Sequence, residues 1–315
     1  MSSDSKPWAV VLAGGEGVRL QGLTRRIAGD SRPKQFCRIF GGKTLLRQAC
    51  DRIKPLFQQD RIAIVVTRAH ETFYRDELDQ CERGRAVVQP CNRGTGVAMT
   101  LAILRILEAD PSAVVAFFPS DHYYSDVGAF RSAITSAMLL GRHAESVILL
   151  GAEAHAPEVE YGWIEPGAAI VNSAAAQLFR VSRFWEKPSL SQAQTLLRAG
   201  SFWNTFVTIG SARAFLDLLI SQIPDVVLAI SALLCGGDLD CGFDRVRPVD
   251  FSRDVLTPRS DRLLVLRDVA SGWADLGNPS RVVDTLIRNR VETDWLHDML
   301  VAHDLNPDHA IPRRV

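Results

Sequence analysis

Short apolar runs alternate with amphipathic stretches along the first half of this chain. Residues 8–13 (Trp-Ala-Val-Val-Leu-Ala) form a nearly continuous apolar run, and 61–66, 85–88, 113–118 and 146–151 repeat the pattern. Such runs suit strands of a parallel sheet covered on both faces. Between them, 44–54, 70–78, 95–108 and 127–141 read as helices; in the first, Leu45, Leu46, Ala49 and Ile53 share one face. Strands alternating with helices predict an α/β fold, a Rossmann-like, mainly parallel sheet with right-handed crossovers and flanking helices. After Gly151 the rhythm changes. Strands are expected at 161–167, 179–187, 203–209 and 262–267, and helices at 190–199, 211–223, 226–234 and 279–290, with a turn at 271–277. The remainder reads as a polar, weakly patterned tail. Without repeats or a linker, the chain is read as a single domain with halves at 8–151 and 152–290 and a tail at 291–315.

The first run ends in Gly14-Gly15-Glu16-Gly17, followed by two cations, Arg19 and Lys34. Glycines let backbone N–H groups approach a ligand closely, and a strand running into such a loop beside cations fits a polyphosphate. The loop is no dinucleotide fingerprint, since Leu20 stands where the third glycine belongs, and no Gly-Lys-Ser/Thr makes it a P-loop. In open α/β sheets ligands bind beyond the carboxyl ends of strands. The glycine loop, 89–95 and 119–122 all lie at such ends and would meet in one crevice. Two aspartates, Asp121 and Asp275, sit in turns; spacing alone does not pair them.

Composition narrows the function classes. Lys+Arg and Asp+Glu are both 36 in 315 residues, so no bulk charge attracts nucleic acid or an anionic membrane. No apolar run reaches a membrane span, and the first residues carry no signal-peptide core. Cys37, Cys50, Cys81, Cys91, Cys235 and Cys241 form no C-x-x-C pair, so zinc is not expected and free thiols in a reducing cytoplasm are.

Several motifs together resemble the sugar-1-phosphate nucleotidylyltransferases. They are Gly-Gly-Glu-Gly-Val-Arg-Leu at 14–20, Pro33-Lys34-Gln35-Phe36, Pro119-Ser120-Asp121-His122, Glu186-Lys187-Pro188 and Gly272-Trp273-Ala274-Asp275-Leu276-Gly277. The Pro-Lys-Gln-Phe ending is most similar to the mannose-1-phosphate guanylyltransferase branch. The resemblance implies a nucleotidyltransferase of the nucleotide-diphospho-sugar type, taking an NTP, with GTP foremost, and a sugar 1-phosphate, with mannose 1-phosphate foremost. A thymidylyl- or uridylyltransferase, or a non-catalytic regulatory relative that binds a nucleotide sugar, are the alternatives. It implies Mg²⁺ between Asp121 and Asp275, with His122 structural. It gives Arg19, Lys34 and Lys187 the charge-neutralising roles. The nucleotide falls to Leu12, Ala13, Gly14, Gly15, Glu16 and Gly17 and to Gln89, Arg93, Gly94 and Thr95. The sugar phosphate falls to Gly162, Glu186, Lys187 and Asn204. Partners are small molecules, not nucleic acid or membrane, and a homodimer is compatible.

The chain also departs from the family pattern. Val18 replaces a Thr, and 27–30 reads as a small insertion. Gln89 replaces Glu, Gly94 replaces Asn, and Gly96-Val97 replaces Ala-Pro, which bears on base specificity. The Gly-Met of Trp-Asn-Ser-Gly-Met-Phe is missing at 203–206. Glu160-Tyr161 stands for Gly-Tyr ahead of Gly162.

Overall fold

A computed structural model describes residues 6–80, 85–141, 145–173 and 176–302. Cys81 and the tail beyond Ala302 lie outside these. The alternating half folds as β1 (Trp8–Leu12), α1 (Gln21–Ala28), α2 (Leu45–Ile53), β2 (Ile62–Thr67), α3 (Glu71–Gln80), β3 (Arg85–Gln89), α4 (Thr95–Ala109), β4 (Val114–Pro119), β5 (His122–Tyr124), α5 (Val127–Gly141) and β6 (Val147–Glu153). The remainder supplies β7 (Gly162–Asn172), β8 (Gln177–Glu186), α6 (Leu190–Arg198), β9 (Phe202–Ser211), α7 (Ala212–Gln222), α8 (Pro224–Cys235), β10 (Leu263–Asp268), β11 (Trp273–Asp275), α9 (Pro279–Arg288) and α10 (Asp294–Ala302).

The main sheet is mixed, in the order β3-β2-β1-β4-β9-β6-β10-β8-β7. β1 lies parallel between β2 and β4, with Val11 opposite Ile64 on one side and Phe118 on the other. Side chains alternate across it. Val10, Val65 and Phe117 bury against Met99, Leu101 and Phe215, while Val11, Ile64 and Phe118 bury against Leu46, Ile53 and Phe130. Both faces are therefore covered, which explains the unbroken apolar runs.

The expected parallel series is interrupted beyond β4. The late strand β9 inserts antiparallel between β4 and β6. Strand β7 then pairs with both β8 and β9, so β9, β6, β10, β8 and β7 close into a ring. Trp203 of β9 faces Ala152 on one side and Trp163 on the other. Gly151, at a register shift in β6, is required inside this ring: an added Cβ would lie 2.7 Å from Val265 Cγ2 and 2.9 Å from Phe202 Cβ.

A second, two-stranded sheet pairs β5 with β11, setting Asp275 opposite His122. The segment 271–277, expected to be only a turn, thus carries a strand. Residues 27–30 run across the end of α1, where Gly29 at φ 81° donates its N–H to the Arg25 carbonyl at 2.9 Å. The start of the tail is helical too. In α10, Leu296 and Trp295 pack with Leu20, Leu45 and Leu286, and Trp295 Nε1 donates to the Ile39 carbonyl at 2.9 Å. No single helix among the described residues is long and apolar enough to cross a membrane.

Candidate active site

The carboxyl ends of β1, β3 and β4 open onto one cavity of about 580 Å³, closed on its other side by β7, β8, β9 and the 248–253 segment. The glycine loop is pinned from below. Gln35 Nε2 donates to the carbonyls of Ala13 (2.9 Å) and Gly15 (2.7 Å), and Thr67 Oγ1 donates to that of Gly14 (3.0 Å). Ser120 Oγ donates to the Leu12 carbonyl at 2.7 Å, tying the end of β4 to β1. At Gly17, φ is 61° and an added Cβ would lie 2.9 Å from the Lys34 backbone N, so glycine is needed for conformation and space.

Lys34 Nζ reaches Asp121 Oδ2 at 3.1 Å and the Leu276 carbonyl at 3.0 Å, which ties the turn at Lys34–Phe36 to the ends of β4 and β11. Burial alone would raise the Asp121 carboxyl, but Lys34 and His122 more than offset it and hold it below the usual carboxylate value. Asp275 Oδ2 meets Arg281 at 3.2 Å. The other oxygens of both aspartates face one atom: His122 Nε2 lies 3.9 Å from Asp121 Oδ1 and 3.7 Å from Asp275 Oδ1. Burial pushes the His122 imidazole below its ordinary value, against the pull of these two carboxylates. Trp273 Nε1–H, which can only donate, donates to His122 Nδ1 at 3.0 Å. With Nδ1 accepting, a neutral ring carries its proton on Nε2, toward the carboxylates. That arrangement offers them no lone pair, which fits a structural place for His122. Two anionic oxygen donors without imidazole suit Mg²⁺.

The opposite wall carries Gly162, Glu186, Lys187 and Asn204. Lys187 is held at φ 50°, uncommon for a side-chain-bearing residue, with its N–H donating to the Tyr161 carbonyl at 3.1 Å. Its Nζ lies 3.2 Å from Glu186 Oε1. Burial raises the Glu186 carboxyl above its usual value, with Lys187 opposing. Asn204 Oδ1 accepts from Phe206 N at 3.0 Å, and Phe206 itself sits at φ 62°. Backbone strain thus gathers on this wall.

Of the residues singled out in the sequence, Leu12, Gly14, Gly15, Gly17, Arg19, Lys34, Gln89, Gly94, Thr95, Asp121, Gly162, Glu186, Lys187, Asn204 and Asp275 line the cavity. Ala13 lies beneath the loop. The Glu16 side chain turns to His70 Nε2 at 3.3 Å, and Arg93 donates to the Asp244 carbonyl. Those three do not line it. Gln89 is buried, and its Oε1 has no hydrogen-bond partner.

Sequence reasoning missed the 248–253 segment, which brings Pro248, Val249, Asp250, Ser252 and Arg253 to the cavity. It is strapped to the start of α4: Gly96 N donates to the Val249 carbonyl and Val249 N to the Arg93 carbonyl, both at 2.9 Å, and Phe251 N donates to Thr95 Oγ1 at 3.0 Å. Gly94, at φ 86°, and Gly96 leave room for this strap, because a Cβ at either would overlap Val249. Two of the departures from the family pattern therefore answer to one packing contact.

The family model "Nucleotidyl transferase" matches residues 8–287. The chain belongs to that family. It is similar to the mannose-1-phosphate guanylyltransferase of Escherichia coli K12, 29% identical over 96% of this chain and 64% of that protein. It is also similar to the xanthan biosynthesis protein XanB of Xanthomonas campestris, 28% identical over 87% of this chain and 58% of that protein. The chain thus spans about three fifths of the length of these curated relatives. A solved structure described as mannose-1-phosphate geranyltransferase from Thermus thermophilus superposes with a TM-score of 0.77 at 29% identity, covering 91% of this chain and 80% of that one. A UDP-glucose pyrophosphorylase complexed with UDP-glucose, 16% identical with a TM-score of 0.57, shares the fold.

Proposed function

We propose that this chain transfers a guanylyl group from GTP to mannose 1-phosphate, releasing pyrophosphate. The observation that carries this reading is the meeting of Lys34, Lys187, Asp121 and Asp275 in a single cavity beside the glycine loop. A sugar-phosphate oxygen attacks the α-phosphorus in line; that P–O bond forms as the α–β P–O bond breaks. The phosphate is already anionic at neutral pH, so no general base is required, and catalysis rests on positioning and charge neutralisation. Arg19 and the N–H groups of the glycine loop hold the outer phosphates. Lys34, fixed between Asp121 and the Leu276 carbonyl, stands beside the α-phosphate. Lys187 orients the attacking phosphate, and Glu186 and Asn204 take sugar hydroxyls. Asp121 and Asp275 would hold Mg²⁺, which supplies additional neutralisation of phosphate charge.

The unpartnered Oε1 of Gln89 is an acceptor for a base N–H. It serves guanine N1–H, and it serves the single N–H of uracil or thymine equally, which keeps a uridylyl- or thymidylyltransferase as the second reading. Pyrophosphate release measured across GTP, UTP, dTTP and ATP, with mannose 1-phosphate and with glucose 1-phosphate, tests both. We expect the highest kcat/KM for GTP with mannose 1-phosphate. A clear preference for dTTP or UTP would transfer the assignment to the second reading, and no turnover with any pair would leave the regulatory relative.

A further inference from the structure

Glu160 stands at the mouth of the cavity, in the loop ahead of β7, where the family motif has glycine. Both of its oxygens are engaged by arginines from different elements. Oε1 pairs with Arg19 Nη1 of the glycine loop at 3.0 Å, and Oε2 pairs with Arg281 Nη1 of α9 at 3.1 Å. Arg281 cannot follow Arg19 into the cavity, because it is itself fixed. It holds Asp275 at 3.2 Å and Glu158 at 2.5 Å, and its guanidinium lies 4.4 Å from the centre of the Tyr161 ring. Glu160 is therefore an anchored carboxylate that reaches across the mouth to Arg19, a long and more than half-exposed side chain.

We propose that Glu160 is an internal competitor for the nucleotide's phosphates. This rests on the reading above in which Arg19 holds the outer phosphates. A carboxylate offers a guanidinium the same bidentate, anionic surface as a phosphate edge. In this structure Glu160 occupies Arg19, and a polyphosphate held by Arg19 must displace it. The residue thus sets nucleotide affinity and selects for ligands with charge enough to win the exchange: triphosphates and pyrophosphate, but not monophosphates. When Arg19 leaves, Glu160 keeps its contact with Arg281 and stays partly exposed to solvent. Because the pair links the glycine loop to the loop ahead of β7, its opening also unties the two walls of the cavity.

Titration calorimetry on the full chain, comparing wild type with Glu160→Gln and Glu160→Gly, tests this with GTP, inorganic pyrophosphate and GMP as probes. An exposed ion pair is worth at most about 1 kcal/mol, so displacement sets the expected gain at about two- to fivefold in affinity. GTP and pyrophosphate should both bind more tightly to the variants, and GMP should bind as it does to wild type. The gain should shrink as NaCl is raised, because salt already weakens the wild-type pair. A purely structural role for Glu160 would not produce that salt dependence. Weaker or unchanged pyrophosphate binding in both variants overturns the proposal, as does an equal gain for GMP. Pyrophosphate carries no base, so its result stands even if GTP proves the wrong nucleotide.

Discussion

The two halves of the molecule solve the same packing problem in different ways. Up to β6 the chain builds strands sandwiched by α2 and α5 on one face and α4 on the other. Beyond β6 it curls strands into a ring, β9-β6-β10-β8-β7, whose interior is filled by Phe184, Phe202 and Val265. The first arrangement ends its strands in loops rich in glycine, and Gly14, Gly15, Gly17 and Gly94 line the cavity. The second places side chains on the cavity wall from strand ends under strain, with Lys187 at φ 50° and Phe206 at φ 62°. On the proposed reading, flexible phosphates would be met by backbone and long cations, and the sugar hydroxyls by over-determined strand ends.

Four predictions test this division of labour. The largest effect belongs to the seam between the halves, where β5 meets β11. Asp121→Asn and Asp275→Asn should each lower kcat by roughly a hundredfold or more while unfolding stays cooperative, since several kcal/mol of charge stabilisation rest on the pair. Activity within a few-fold of wild type in either variant, at saturating Mg²⁺, would remove the metal assignment.

Next come the cations of each half. Lys34→Ala should lower kcat by about tenfold or more, because its contact strengthens as charge builds on the transferring group, while Lys187→Ala should act chiefly on KM for the sugar phosphate. Steady-state kinetics with each substrate varied in turn read this out. If Lys187→Ala raised only the KM for NTP, the two walls would have to be exchanged.

The strap offers a third handle. Gly94→Asn, which restores the residue common in the family, must fit a Cβ against the Val249 carbonyl from a backbone at φ 86°. It should cost about 1–3 kcal/mol in denaturant unfolding. A variant as stable as wild type would show that the strap moves freely from α4.

The smallest effect is in pH. Burial holds Glu186 above its ordinary value, whereas Asp121 is held below its own. Acidification should therefore protonate Glu186 first, raising KM for the sugar phosphate a few-fold while KM for NTP stays flat, and Glu186→Gln should abolish that limb. The stability sign is opposite to that of a salt-bridged carboxylate. Since the folded value exceeds the unfolded one, ionised Glu186 opposes folding, and that cost is relieved as pH falls through the folded value.

The first half was readable because each element there announces itself locally. The apolar runs ending at Ala13, Val66 and Phe118 became β1, β2 and β4, and the helix expected at 127–141 is α5, Val127–Gly141. What stayed hidden was non-local. Periodicity marks 203–209 as a strand but holds no information on its partners, so the place of β9 between β4 and β6 was invisible. β5 and β11 are three residues each, too short for a period to register, yet their pairing joins Asp121 to Asp275. Helix α1 buries only Leu23 and Thr24 and leaves little apolar signal. Asp250 and Arg253 lie in an irregular segment where no pattern calls for attention, while Gln35 and Ser120 stood inside quoted motifs without a stated task.

The ring's tryptophans have an optical consequence. Of the six in the chain, Trp163, Trp185, Trp203 and Trp273 pack together beside the wall that carries Gly162 and Asn204, and Trp203 lies 6.0 Å from Trp163 and 6.2 Å from Trp273, centre to centre. Rings this close exchange excitation, so light absorbed by any of them is emitted according to the surroundings of the whole group, including Trp273, which borders the cavity. Trp8 lies buried against Arg61 at the far end of β1 and does not see the site. The intrinsic fluorescence of the protein therefore responds to changes at the cavity wall that carries Tyr161 and Trp273.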